Sequence, residues 1–306
     1  MHKTVVAMFT YNRPEKFQSL LSSFHSCSRI YEIDLVIFCD GQKEEINDPR
    51  VTANQDIVKN SEYLVPPTII VRETNIGLAQ SIIRGVSELL SKYEQIIVLE
   101  DDLVLHPDFI HFMLSGLEKY KDGKEVFQIS GYNYPVSLPL SESAFFLPFT
   151  SSWGWATWAD RWKYFKEISA NDISFSLKER YQFDLYGAYP YYRMLWDAVN
   201  GELNTWDIQW YYAVFRQHGL TLYPTHSLVD NNGFDGSGVH CGETSHFSHI
   251  DWGDHFFRNE KLIFPEKAES NRRAFEKIVK YLEANLPLYN RCKHKIISYF
   301  LTFRSN

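Results

Sequence analysis

The 306-residue chain carries 31 Lys and Arg against 38 Asp and Glu, a formal charge of −7, with 44% hydrophobic and 23% charged residues. Such a chain can bury a sizeable core as one large domain or two small ones, and it is neither disordered nor a general nucleic-acid binder, which would need a basic surface. Aromatic residues reach 16%, more than a core requires, and flat rings are the usual walls of sugar and nucleobase sites.

Four scattered cysteines (Cys27, Cys39, Cys241 and Cys292) share no CxxC spacing. They read as reduced thiols rather than a disulfide framework or a zinc site. No apolar stretch approaches membrane-spanning length, and the short run Thr4–Thr10 lacks signal-peptide anatomy. The expectation is a soluble, cytoplasmic protein.

Taken in chain order, the first run, Thr4–Thr10, is continuously apolar and ends at Tyr11-Asn12-Arg13-Pro14. A helical stripe follows over Glu15–Phe24, with Phe17, Leu20, Leu21 and Phe24 on one side, just after a proline suited to a first turn. Ile33–Cys39 ends at Asp40-Gly41, Pro67–Arg72 ends before Asn75-Ile76-Gly77, and Gln95–Leu99 ends at Glu100-Asp101-Asp102. Unalternating runs of this length suit strands buried on both faces of a parallel sheet. Helices are predicted over Leu78–Leu90 and Pro107–Tyr120. Strand and helix thus alternate through the first 120 residues, which predicts an α/β fold: an open, mostly parallel twisted sheet flanked by helices. In such sheets ligands bind beyond the carboxyl ends of the strands. Thr10–Arg13, Asp40, Asn75 and Glu100–Asp102 all fall on that rim.

After Gly131 the texture changes. Residues 131–165 are rich in Pro, Ser and aromatics, including Trp153-Gly154-Trp155-Ala156-Thr157-Trp158; residues 171–220 read as helical, and 224–255 are rich in Gly, His, Asn and Asp. A helix is predicted over Asn271–Asn285, followed by a basic aromatic end. With no internal repeat or low-complexity linker, the chain reads as one continuous fold in two halves, 1–130 and 131–264, plus a C-terminal helical appendage, 265–306.

Glu100-Asp101-Asp102 is the strongest chemical signal. Three acids at a strand exit repel one another unless a cation or strong donors sit among them, and hard oxygen ligands suit Mg2+ or Mn2+ shared with a substrate's phosphates. The competing reading is a solvated turn leading into the next helix. Asp230–His240 (DNNGFDGSGVH) combines glycine freedom with polar side chains such as Asp235, and reads as a loop able to close over a diphosphate, with His240 a candidate metal or phosphate contact. Gly154 between two rings suggests close approach of backbone to a donor sugar. Trp155 and Trp206 are candidate platforms for an acceptor sugar, although core packing is the commoner fate of tryptophan.

The ordered set resembles nucleotide-sugar glycosyltransferases of the GT-A fold, in particular N-acetylglucosaminyltransferase I and its bacterial relatives. The matching segments are the opening strand into Tyr11–Pro14, Asp40, Asn75-Ile76-Gly77-Leu78-Ala79, Val98–Leu103 followed by Pro107-Asp108-Phe109, Trp153-Gly154-Trp155, and Trp206-Asp207-Ile208-Gln209-Trp210. They cover roughly residues 3–250, and the specificity lies in their order. The resemblance implies a nucleotide-sugar half (1–130) and a donor-sugar and acceptor half (131–264). It implies that Asp102 holds the metal, with Glu100 and Asp101 toward the ribose or waters, and that Asp40 meets a uracil N–H or a ribose hydroxyl. Thr10, Asn12, Arg13, Asn75 and Arg84 would lie on the nucleotide side, Arg13 offering its planar fork to the diphosphate. Asp207 would be the general base of an inverting transfer. A helix-capping aspartate is the alternative there, and the register to the next tryptophan differs from the family's.

The expectation is therefore a metal-dependent, inverting hexosyl- or N-acetylhexosaminyltransferase using a nucleoside-diphosphate sugar, in the first instance a UDP sugar. Its acceptor would be a glycan, glycolipid or glycoprotein. The segment Arg291–Arg304 carries no acid and would suit peripheral contact with the inner face of the cell membrane, or a partner subunit. Two rivals stay open: a sugar-1-phosphate nucleotidyltransferase, and a non-catalytic carbohydrate-binding protein on a decayed transferase fold. Against the first, the opening strand leads into Tyr11–Pro14 rather than a glycine-rich loop.

Overall fold

The run Thr4–Thr10 forms the first strand, β1, and all seven of its residues are buried. In the structure, a computed structural model describing residues 2–234 and 262–285, β1 lies between β2 (Asp34–Cys39) and β4 (Gln95–Glu100), with β3 (Pro67–Val71) beyond β2. All four strands are parallel. Successive residues enter two different cores. Val6 and Met8 join Leu35, Ile37, Ile97 and Leu99 on one face, while Val5, Ala7 and Phe9 join Val36, Phe38, Ile96 and Val98 on the other. A strand covered on both sides has no solvent face to mark with polar residues, which explains the missing alternation.

The crossovers supply the cover. α1 (Pro14–His25) buries Phe17, Leu20, Leu21 and Phe24 on the first face, joined there by Val58 of α2 (Pro49–Asn60). α3 (Leu78–Leu90) covers the second face with Ile82, Ile83, Val86 and Leu89. Pro14 and Pro49 both open helices, where a missing N–H removes no bond. The sequence does not announce α2, because its buried side is only Val51, Asn54 and Val58.

Past β4 the sheet changes character. β6 (Val126–Ser130), β7 (Ala144–Leu147), β8 (Trp155–Trp158) and β9 (Leu220–Pro224) extend it in the order β3-β2-β1-β4-β8-β6-β9-β7. Pairing is antiparallel at β4–β8, β8–β6 and β9–β7, and parallel at β6–β9. The α/β class with helices flanking a large sheet is as expected, and its parallel character belongs mainly to the first four strands. A small second sheet pairs β5 (Leu103–Leu105) with β10 (Val229–Asn231).

The remaining helices are α4 (Phe109–Lys119), α5 (Ala159–Trp162), α6 (Leu177–Phe183), α7 (Tyr191–Val199), α8 (Asp207–Arg216) and α9 (Arg272–Asn285). α8 is wedged between the cores, placing Ile208 and Tyr211 in the first and Trp210 and Val214 in the second. α9 packs on the first core, where Ala274, Ile278 and Leu282 are buried, and Ser270 just ahead of it bridges Phe146 of β7. The basic tail lies outside the described residues. Among the described residues no helix is long and apolar enough to cross a membrane.

Candidate active site

β1 and β4 pair with Phe9 opposite Glu100, so their carboxyl ends release the chain side by side. That register brings Thr10–Arg13 against the acids. Thr10 Oγ1 donates to Asp101 Oδ2 at 2.9 Å, and the Tyr11 N–H reaches the same oxygen at 3.3 Å. Arg13, the residue before α1, donates from Nη1 to Asp102 Oδ2 at 3.0 Å and from Nη2 to Asp101 Oδ1. Asp101 is only 2% exposed. Burial raises the Glu100 carboxyl well above the usual range, and the negative charge of Asp102 adds to this, with smaller contributions from Asp101 and Asp207 against the opposing Arg13. Asp101 is also raised by burial, against Arg13. Burial works against the Arg13 charge, and the two aspartates more than restore it.

Three carboxylates face one guanidinium, so negative charge is left over for a cation. Asp102 Oδ2 and Asn231 Oδ1 lie 2.7 and 2.8 Å from where a Cβ on Gly233 would stand, so two oxygens flank a small space that only a glycine leaves clear. Among the described residues no group of three or more His, Cys, Asp or Glu holds a metal on its own. These donors fit a hard ion that completes its shell with diphosphate oxygens and water, not an all-protein cage. The strand that leads into the glycine-rich loop is fastened at this point. The Asn232 N–H donates to the Asp102 carbonyl at 2.8 Å, and Lys16 Nζ holds the Asn232 carbonyl at 3.0 Å. Asp235 and His240, expected at the acceptor and the metal, lie outside the described residues.

Asp40 closes β2 and is 4% exposed. It accepts from Arg72 Nη1 at 2.5 Å and from Ser81 Oγ at 3.2 Å, and Arg72 Nη1 also reaches the Ser81 hydroxyl. Nearby, Asn12 Nδ2 donates to Asp48 Oδ2 at 2.9 Å, and the side chain of Asp48 caps α2. Asn75 Oδ1 accepts from the Gly77 N–H at 2.8 Å and so shapes the turn into α3. Gly77 has φ +82°, and a Cβ there would meet Asn204 Nδ2 at 3.3 Å. The start of α3 therefore abuts the segment that leads into α8.

Asp207 is the first residue of α8. Its Oδ1 accepts from Thr205 Oγ1 at 2.5 Å and from the Ile208 N–H at 2.7 Å, so both bonds fall on one oxygen. Asp207 lines a cleft of about 160 Å3 together with Trp153, Tyr189, Tyr191, Trp206 and Leu282 of α9.

One expectation is corrected: Trp155 is 0% exposed, stacked on Trp206 at 4.9 Å within the second core, so its ring offers no face to an acceptor. Gly154 has φ +58°, and a Cβ there would meet the Phe109 ring and Val229, each at 3.0 Å. Arg84 is exposed and bonds Gln80, which bonds Glu167, in a surface chain on α3. Trp206 is 2% exposed and does border the cleft.

The sequence reading missed Arg72, Ser81, Thr205 and the tyrosines of the cleft. Arg72 follows the last residue of β3, so the strand-end rule that singled out Asp40 applies to it equally. The two free thiols among the described residues, Cys27 and Cys39, are buried, and burial pushes them up to about 12 and about 11.

No protein-family model matches the chain, and no curated protein does. Among solved structures it is similar to the mannosyltransferase PcManGT from Pyrobaculum calidifontis in complex with GDP-Man and Mn2+, at 12% identity and TM-score 0.38 over 53% of this chain and 46% of that one. It is similar to S. aureus TarS at 15% identity and TM-score 0.37, over 57% of this chain and 30% of that one. A shorter TarS in complex with UDP-GlcNAc gives 16% identity and TM-score 0.36, over 57% and 48%. The chain spans less than half the length of each of these proteins.

Proposed function

We propose that the chain is a metal-dependent, inverting glycosyltransferase moving a hexosyl or N-acetylhexosaminyl group from a nucleoside-diphosphate sugar, most simply a UDP sugar, to a hydroxyl of a glycan, glycolipid or glycoprotein. One observation carries this reading: the register of β1 and β4 sets Arg13 against Asp101 and Asp102 at the strand ends, beside a space that only Gly233 leaves clear. In this reading Asp207, at the start of α8, is the candidate base of the same site.

Asp102, with Glu100 beside it, would hold Mn2+ or Mg2+, which when bound neutralises charge on the departing diphosphate. Asp40, held by Arg72 and Ser81, presents a fixed carboxylate to the nucleoside. Thr10 and Arg13 set the position of Asp101 and Asp102. Asp207, fixed through Oδ1, takes the proton of the acceptor hydroxyl as its oxygen bonds to the anomeric carbon. The bond from that carbon to the phosphate oxygen breaks as this happens, and its electron pair leaves with the nucleoside diphosphate.

Calorimetric titration with UDP, with and without Mn2+, tests the donor side. Binding strengthened by Mn2+ and abolished by Asp102→Ala is the expected result. No UDP binding under either condition would sink the UDP-sugar assignment.

A further inference from the structure

We propose that the cleft beside Asp207 seats one ring of an uncharged pyranoside, and that the acceptor is therefore a neutral sugar terminus rather than a phosphorylated or carboxylated one. The word acceptor rests on the transferase reading; the binding itself does not.

Size is the first argument. The cleft holds about 160 Å3, and a cavity of about 150 Å3 accommodates benzene, a single six-membered ring. That is room for the body of one six-membered ring, whose substituents and any further sugars would reach outward through the mouth of the cleft.

The walls are the second argument. A pyranose has apolar C–H faces and a hydroxyl edge, so it suits flat rings on its faces and hydroxyls at its rim. Trp153 is half-buried and braced edge-on by Tyr132 at 4.6 Å and Phe234 at 5.6 Å. Tyr189 and Tyr191, two residues apart, have ring centroids 4.7 Å apart. Ser151 and Ser152 add hydroxyls to the lining. Rings held by other rings lose little freedom on binding, which favours a preformed seat.

Charge is the third. Among the described lining residues the charged side chain is Asp207. A phosphate or carboxylate on the seated ring would meet like charge, whereas a neutral hydroxyl can donate to Asp207.

The test uses the full chain without nucleotide or metal. Saturation-transfer NMR would compare neutral methyl hexopyranosides and methyl N-acetylhexosaminides with methyl glucuronide and glucose 6-phosphate at neutral pH. At least one neutral glycoside should bind, with the acidic sugars about tenfold weaker or more. Asp207→Asn should narrow that gap. Trp153→Ala, checked for fold by circular dichroism, should weaken the neutral ligand about tenfold. Acidic sugars binding as well as neutral ones, a neutral ligand indifferent to Trp153→Ala, or no glycoside binding to a folded protein would each overturn the inference. UDP binding without glycoside binding would fell this inference and leave the transferase reading standing, and the reverse result would do the opposite.

Discussion

Replacing Arg13 by Gln removes the positive charge shared by Asp101 and Asp102 while keeping a hydrogen-bond donor. Both aspartates lose an ion pair, and Asp101, at 2% exposure, cannot turn to water instead. Removing one partner of a buried pair costs about 3–5 kcal/mol. The Asp102 side, where the arginine and carboxylate side chains are 20% and 12% exposed, adds little to that. We therefore expect a loss of about 3 kcal/mol at neutral pH, read by urea unfolding with tryptophan fluorescence. The sign with pH follows from the acids. Glu100 and Asp101 are already raised, and losing Arg13 raises Asp101 further, so the folded variant binds protons more tightly than its unfolded chain. Its deficit is fullest at neutral pH and shrinks as pH falls and the acids take up protons. Added Mn2+ should restore more stability to the variant than to the parent, since a second cation then meets the uncompensated charge. A loss under about 1 kcal/mol at neutral pH, or one that does not shrink on acidification, would show that Arg13 is not the counter-charge of this cluster.

Asp207→Asn should leave UDP binding intact while transfer falls by about 10²-fold or more, the usual contribution of a positioned base; unchanged transfer in a coupled UDP-release assay would remove Asp207 from that role. Gly154→Ala combines a left-handed backbone with contacts at 3.0 Å to Phe109 and Val229, so a loss of about 2–4 kcal/mol in thermal or urea unfolding is expected. Asp184 is pushed up to about 6 by burial, despite accepting the Tyr192 N–H at 2.6 Å and facing Arg180. A raised carboxyl favours the protonated fold, so Asp184 destabilises above about pH 6, and that penalty fades as pH falls toward 4. Asp184→Asn should flatten this slope and stabilise the protein at neutral pH by up to about 2 kcal/mol; an unchanged pH profile of the unfolding midpoint would refute it.

The first half of the fold was legible because β1, β2 and β4 are buried on both faces, with β3 a half-buried edge strand, and because each crossover helix, α2 apart, shows a full apolar stripe. β1 runs over Thr4–Thr10 and α3 over Leu78–Leu90, the bounds that the pattern predicts. The second half was not, since β7 and β8 have four residues each, too few to display a period, and their aromatics suit a core or a binding wall equally well. Trp155 shows the ambiguity: its type suited a sugar platform, and only its place in a central strand decides for the core. The site was legible where chemistry sits at strand ends, as at Asp40 and Glu100–Asp102. What sequence could not supply was pairing at a distance. Arg13 meets Asp101 and Asp102 across some ninety residues, and Arg72 meets Asp40 across 32, because parallel strands set those ends side by side.

The placement of β8 has a consequence for how the chain assembles. During synthesis the first hundred residues supply four parallel strands, yet the free edge of β4 gains its partner only when residues 155–158 appear, and these lie between β4 and the earlier-made β6. Until then a row of unpaired backbone groups stands open beside apolar surface, the situation that invites pairing with another chain. A polypeptide ending at residue 130 would be left permanently in that condition. We expect such a fragment to self-associate rather than persist as a separate nucleotide-binding unit, and the many contacts between distant residues predict slow folding of the whole. The two halves that the sequence suggests share one sheet, and β8 joins them at its centre.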